Sequence, residues 1–224
     1  MRKVRIGEGW NIRQVRAALA KAEALRHDTQ DMSDEQLMEA LGRSGHPEGM
    51  FFPDTYKYAK YSSDVELLKL AMRTMDRKLE AAWEGRDPEL PIKSPYDLLK
   101  LASIIEKETG HSADRTQVAA VFSNRLKIGM RLQTDPTVIY GLGESFDGNL
   151  RRRDLESDTP YNSYTRAGLP PTPISMPGAA SLAAAANPAD SKALYFVARG
   201  DGTSQFSETL TEHNRAVNKY IRGR

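Results

Sequence analysis

From residue 130 to residue 178 the chain carries many Gly, Pro, Asn, Thr and Tyr residues and shows little periodicity. The segments on either side of it, a helix before and a helix, strands and a helix after, are regular. A compact domain seldom keeps so long an irregular segment unless the segment builds a site. The chain is therefore expected to fold as a helical scaffold that carries one large, ordered, site-forming segment.

The flanking regularity is specific. Asn11 can cap a helix in which Ile12, Val15, Leu19 and Ala22 recur at helical spacing, and Ser33 starts a second that stops at Gly42. Gly45–Ser63 reads as an ordered connection carrying FFPDTY, Phe51–Tyr56. The longest helix is expected from about Asp64 to Trp83, with a stripe of Val65, Leu68, Met72, Met75, Leu79 and Ala82 that reads as core packing. Ser94, Pro95 and Asp97 mark the start of the next helix, which runs to Gly110, and another spans about Asp114 to Lys127. After the irregular stretch come a helix at 178–186, a strand at Ala193–Ala198, a turn at Gly200–Gly202, a short strand, and a helix from about Thr209 to Ile221. RKVRI at 2–6 fits a short strand. The fold class is α+β: helix-rich, with a few short strands. A boundary is expected near 85–93, between an N-terminal helical part, 1–90, and a C-terminal core, 91–224, that holds the irregular stretch.

Composition excludes several functions. Apolar residues make up 39% and charged residues 28%, enough for a core and a solvated surface. The formal net charge of +2 leaves no electrostatic footprint for nucleic acid. No cysteine is present, so disulfides and thiolate zinc sites are excluded. No run approaches the roughly 18–20 apolar residues that span a bilayer, the greasiest being Leu98–Ile105 and Ala179–Ala186. No signal peptide follows Met1. By itself the chain reads as soluble and cytoplasmic, or equally as a piece of something longer.

Phosphate-loop and GxSxG motifs are missing, and GLGESF at 141–146 lacks the last glycine of GxGxxG. The four histidines (His27, His46, His111, His213) are scattered, so neither a metal nor a cofactor is expected. Arg151–Arg153 reads as a solvated turn. Carboxylates remain. Glu106 and Glu108 lie two apart and point to different faces of one helix. Glu108 continues the row of Leu101, Ile104 and Ile105, where burial raises a carboxyl pKa, whereas Glu106 sits above Ala102 and Ser103. On pattern alone a catalytic carboxyl and an exposed last-turn glutamate fit Glu108 equally well. RLQTDPT (Arg131–Thr137) and YNSYT (Tyr161–Thr165) offer amides, hydroxyls and rings of the kind that hold sugars; plain loop chemistry, with Asp135 capping a short helix begun by Pro136, fits too. The irregular stretch is expected to wall a cleft around Glu108, with Gln133, Asn162 and Tyr164 facing it.

LASIIEKETG (101–110), NRLKIGMRLQTDPTVIYGLG (124–143), TPYNSYTRAGLPPTPISMPG (159–178) and ALYFVARGDG (193–202) closely resemble the MltG/YceG-like endolytic murein transglycosylases. FFPDTY and AWEGR (82–86) fit the same pattern. The resemblance implies cleavage of the MurNAc–GlcNAc β-1,4 bond of peptidoglycan glycan strands without water, leaving 1,6-anhydro-MurNAc ends. The second glutamate of EKET, Glu108, is then the acid/base. Gln133, Thr134, Asp135, Asn162, Tyr164 and Thr165 are the expected substrate-binding residues. The resemblance also implies a full-length protein at the periplasmic face of the inner membrane, with a LysM-like segment and an anchor that this chain lacks, working beside peptidoglycan synthases. A lysozyme-like hydrolase using Asp135 as second carboxylate, and a non-catalytic glycan-binding or scaffold domain, are the alternatives.

Overall fold

Most helices begin where a side chain catches their free amide groups, and the computed structural model, which describes residues 1–223, keeps these starts. The elements in chain order are β1 (Arg2–Arg5), α1 (Ile12–Ala20), α2 (Asp34–Ala40), β2 (Thr55–Tyr58), α3 (Asp64–Glu84), α4 (Pro95–Glu108) and α5 (Arg115–Lys127). They continue with α6 (Asp135–Leu142), α7 (Arg152–Glu156), α8 (Ala179–Ala186), β3 (Tyr195–Ala198), β4 (Ser204–Ser207) and α9 (Leu210–Tyr220). Asn11 and Ser33 accept from the amides of Gln14 and Gln36 in reciprocal capping boxes, and Ser94 accepts from Asp97 at 3.2 Å. Gly42 and Gly129 follow α2 and α5 with φ of 73° and 69°, left-handed conformations in which a Cβ is strained.

The strands form two antiparallel pairs. Arg2 faces Tyr58 and Arg5 faces Thr55 in the first; Tyr195 faces Ser207 and Ala198 faces Ser204 in the second. Helices dominate the rest, and the fold is α+β as the sequence pattern implies. The small-residue helix α8 packs against α3, α4 and α5. Its alanines let neighbouring helices approach closely. Leu98, Leu99, Leu101, Ile104 and Ile105 of α4 are buried to within 1% exposure. Each such side chain contributes about 1.5–3 kcal/mol of burial. The core cluster runs from Val4 to Ala186 and draws on both sides of residue 90. Among the described residues no helix is long and apolar enough to cross a membrane.

Four local expectations need correction. Gly45–Ser63 contains a strand, β2, because Tyr56 and Tyr58 alternate inward when the segment pairs with β1. The stretch 130–178 contains two α-helices, α6 and α7, and a short 3-10 turn at Gly143–Ser145. Arg151–Arg153 is no turn: Arg151 caps α7, and its amide donates to Asp154 at 2.8 Å. On α3 the buried stripe is Leu67, Leu68, Ala71, Met72 and Met75, while Val65, Leu79 and Ala82 are only partly buried.

Candidate active site

Glu108 is the last residue of α4, and everything before it is anchored. Pro95 and the Ser94 cap set the start of the helix, and its apolar row locks the middle. Ser103 ties it sideways: its hydroxyl accepts from the Ile174 amide at 3.0 Å, and its carbonyl accepts from Ser175 at 2.9 Å. The last-turn carboxyl is thus presented from a rigid rod. It opens on a cavity of about 450 Å³.

Two loops build one side of that cavity by pairing with each other. The Gln133 amide donates to the Ser163 carbonyl at 3.2 Å, and the Thr134 amide donates to the Ser163 hydroxyl at 3.0 Å. Thr137 shares a hydrogen bond with the same hydroxyl at 2.7 Å. This buried hydroxyl cluster fixes the start of α6. Gln133 has φ of 50°, a left-handed conformation that a side chain resists, and it lines the cavity. The expected Asp135 cap is replaced. Thr134 holds the cap position and makes no side-chain cap bond, because its hydroxyl donates to Glu108 Oε1 instead. Asp135 lines the cavity and accepts from the Tyr164 hydroxyl at 2.5 Å.

Burial is the main force on the Glu108 carboxyl and pushes its pKa up. The Asp135 carboxylate adds to the rise; the Thr134 bond and the Arg125 charge oppose it. Glu106 was expected on the more polar face, but α8 covers it. Its carboxylate accepts from Ser181, and burial raises its pKa as well. What separates the two is access: Glu108 lines the cavity and Glu106 does not.

Gln133, Thr134, Asp135 and Tyr164 therefore come together around Glu108. Asn162 does not. It is 1% exposed, and its amide donates to the carbonyls of Ser157 at 2.7 Å and Leu155 at 2.9 Å while its oxygen accepts from the Tyr164 amide. Every polar atom of that side chain is spent on its own loop, so it holds the loop rather than facing the cleft. Thr165 is likewise committed, donating to Asp158 at 2.8 Å, and lies outside the lining.

Residues from three further elements line the cavity, and sequence reasoning missed them. Arg125, on α5, is 7% exposed and donates to the carbonyls of Leu132 at 2.5 Å and Leu194 at 2.7 Å. It joins the loop before α6 to the segment entering β3. Tyr195 and Phe196 come from β3, and Leu210, His213 and Asn214 from α9. Tyr195 and His213 stack with ring centroids 5.1 Å apart, and burial lowers the histidine pKa. Arg125 carried a usable signal, a cation three residues after Phe122 on an apolar row. The others carried none, since nothing local brings residues 195 and 213 to residue 108. Among the described residues no group of three His, Asp or Glu is placed to hold a metal ion.

The model of the YceG-like family matches residues 1–219. A Bacillus subtilis protein named endolytic murein transglycosylase is 42% identical over 177 residues, which is 79% of this chain and 49% of that protein. A Streptococcus pneumoniae protein of the same name is 30% identical over 180 residues, 78% of this chain and 32% of that protein. The chain thus spans about half or less of the length of these relatives. A crystal structure of a YceG-like protein from Listeria monocytogenes superposes with a TM-score of 0.79 at 34% identity, covering 95% of this chain and 75% of the other.

Proposed function

Because the chain belongs to the YceG-like family, we propose that it is an endolytic transglycosylase that cuts the glycan strands of peptidoglycan, with Glu108 as its single acid/base. The observation that carries this reading is the seat of Glu108: a carboxyl raised by burial, at the rigid end of α4, opening on a cavity lined by amide, hydroxyl and ring groups. The names of the relatives support the substrate class. On the same reading the natural setting is the outer side of the cytoplasmic membrane, beside peptidoglycan synthases.

The chemistry follows from one carboxyl. Cleaving the MurNAc–GlcNAc β-1,4 bond needs a proton on the leaving oxygen, and a carboxyl whose pKa burial raises is suited to supply it. Thr134 occupies Oε1, which leaves Oε2 to carry that proton. Most glycosidases use a second carboxylate as base or nucleophile. Here the substrate's N-acetyl oxygen stabilises the cationic carbon, and its 6-hydroxyl attacks intramolecularly, with the proximity advantage of a tethered nucleophile. Glu108, now ionised and held by the Thr134 hydroxyl, takes the hydroxyl proton. The bond closed is the 1,6-anhydro bridge. Gln133 and Asp135 supply polar contacts to sugar hydroxyls, and Tyr164 and Tyr195 supply ring faces.

One observation favours a second reading. Asp135 lines the same cavity and its charge acts on Glu108, which makes it the candidate second carboxylate for a lysozyme-like hydrolysis. Mass spectrometry of fragments released from uncrosslinked peptidoglycan separates the readings. Anhydro-MurNAc ends support the transglycosylase, reducing MurNAc ends the hydrolase, and no released fragments a binding or scaffold role.

A further inference from the structure

Away from the cavity the structure buries a carboxyl group that this reaction does not use. Glu48 has no exposed surface. Its Oε2 accepts from the Ile12 amide at 3.1 Å and from the Tyr140 hydroxyl at 2.9 Å. Among the described residues its buried Oε1 makes no hydrogen bond of ordinary geometry. An unpaired buried carboxyl oxygen costs free energy, and a leucine or methionine fills such space without that cost. Packing alone is a poor reason for a glutamate here.

Its position suggests a better one. Tyr140 lies in the second half of α6, and Thr134, which holds Glu108, lies immediately before the first residue of the same helix. At 1.5 Å per residue the two are about 9 Å apart on one short rod. The start of that rod is fixed by the Ser163 hydroxyl cluster. The far end is fixed by Glu48, across 92 residues of sequence. Glu48 is itself held firmly. Its amide donates to His46 at 3.1 Å, and the next residue, Gly49, packs so tightly that an added Cβ would lie 2.5 Å from Pro173 Cβ. The Tyr140 ring rests on Tyr161 at 4.9 Å, and the Tyr161 hydroxyl shares a hydrogen bond with Thr172 at 2.8 Å. The clamp therefore ties the N-terminal segment, α6 and the segment after Tyr161 into one unit.

We infer that Glu48 is a positioning residue for the reaction: by clamping Tyr140 it sets α6, and so sets Thr134 and Asp135 against the Glu108 carboxyl. This rests on Glu108 being the acid. A shift of about 1 Å in a positioned group can cost up to ~100-fold in rate, so even a small slip of α6 reaches the chemistry. The groups acting on the Glu48 carboxyl are the Ile12 and Gly49 amides, the Tyr140 hydroxyl and, by repulsion, Asp34 at the start of α2; against them burial raises its pKa.

The test uses Tyr140→Phe, Glu48→Leu and Glu48→Gln in the whole chain. Each is assayed on uncrosslinked glycan strands for kcat and KM, melted, and titrated by NMR with 13C-labelled glutamate to read the Glu108 carboxyl. Tyr140→Phe and Glu48→Leu should lower kcat about tenfold, leave KM within about twofold, and shift the Glu108 midpoint. Glu48→Gln, whose amide oxygen accepts both bonds, should restore kcat to within about threefold of wild type. Folded Tyr140→Phe and Glu48→Leu proteins with wild-type kcat and an unmoved Glu108 midpoint overturn the inference and leave Glu48 a structural residue. If Glu48→Leu fails to fold, Tyr140→Phe, which removes one hydroxyl, decides. If the wild-type chain cleaves nothing, the reading of Glu108 as acid fails, and the NMR midpoint still decides whether Glu48 positions that carboxyl.

Discussion

Replacing Glu108 by glutamine separates chemistry from packing. The amide keeps the shape of the carboxyl, and its oxygen still accepts from the Thr134 hydroxyl. It cannot donate a proton to a leaving oxygen. A positioned acid contributes typically ~10²–10⁴-fold, so kcat should fall by about that factor, or roughly 3–5 kcal/mol of transition-state stabilisation. Stability should move the other way. The Glu108 pKa is raised in the folded state, chiefly by burial. Its contribution to stability is therefore complete below the ordinary glutamate pKa and declines as pH rises through the raised value. Glutamine has no such decline, so at pH 8 the variant should melt no lower than wild type. Glu106→Gln is the control: that carboxylate bonds Ser181 under α8, outside the cavity, and the variant should keep at least about a third of wild-type activity. The assay is release of soluble fragments from uncrosslinked strands, with melting curves at pH 5 and pH 8. A Glu108→Gln protein within about tenfold of wild type, or a folded Glu106→Gln protein equally inactive, would refute the reasoning.

Other expectations are more local. The Glu48 carboxyl is raised from 4.5 to about 7 by burial, so its contribution to stability is lost between those values as pH rises, a total of about 3 kcal/mol; Glu48→Gln should flatten that part of the stability–pH curve measured by denaturant titration. Gly49→Ala combines φ of 78° with a Cβ 2.5 Å from Pro173, and should destabilise by more than about 2 kcal/mol. Gly178→Ala meets only the end of the Glu8 side chain, so calorimetry should find it much milder. Tyr164→Phe removes the donor to Asp135 at the cavity wall and should lower kcat/KM by about 3–30-fold while costing less than about 1 kcal/mol of stability, since Asp135 is exposed. Treatment with EDTA should leave cleavage unchanged, because the proposed reaction routes no step through a metal.

The helical frame was legible in the sequence because its causes are local. Asn11, Ser33 and Ser94 catch amide groups within three residues of themselves, and the row Leu101, Ile104, Ile105 declares its buried face by spacing alone. The same spacing separated Glu106 from Glu108 onto different faces. It could not say what covers each face. Glu106 is desolvated by α8, which lies some 75 residues further on, and Glu108 by residues at 125, 132 and 134. The loop chemistry was legible by type and not by direction. Gln133, Asn162 and Tyr164 are all suited to sugars, but whether an amide faces a cavity or its own loop depends on which carbonyls reach it first. Asn162 finds Leu155 and Ser157 within hydrogen-bonding distance and is consumed by them. Gln133 is turned outward by a left-handed backbone that the pairing with Ser163 imposes. The lining from β3 and α9, and the Glu48–Tyr140 clamp across 92 residues, leave no mark on any short window of sequence. Local hydrogen bonding and periodicity act over three or four residues and can be read from the chain; desolvation and long-range hydrogen bonding depend on what arrives from elsewhere, and only the tertiary structure decides them.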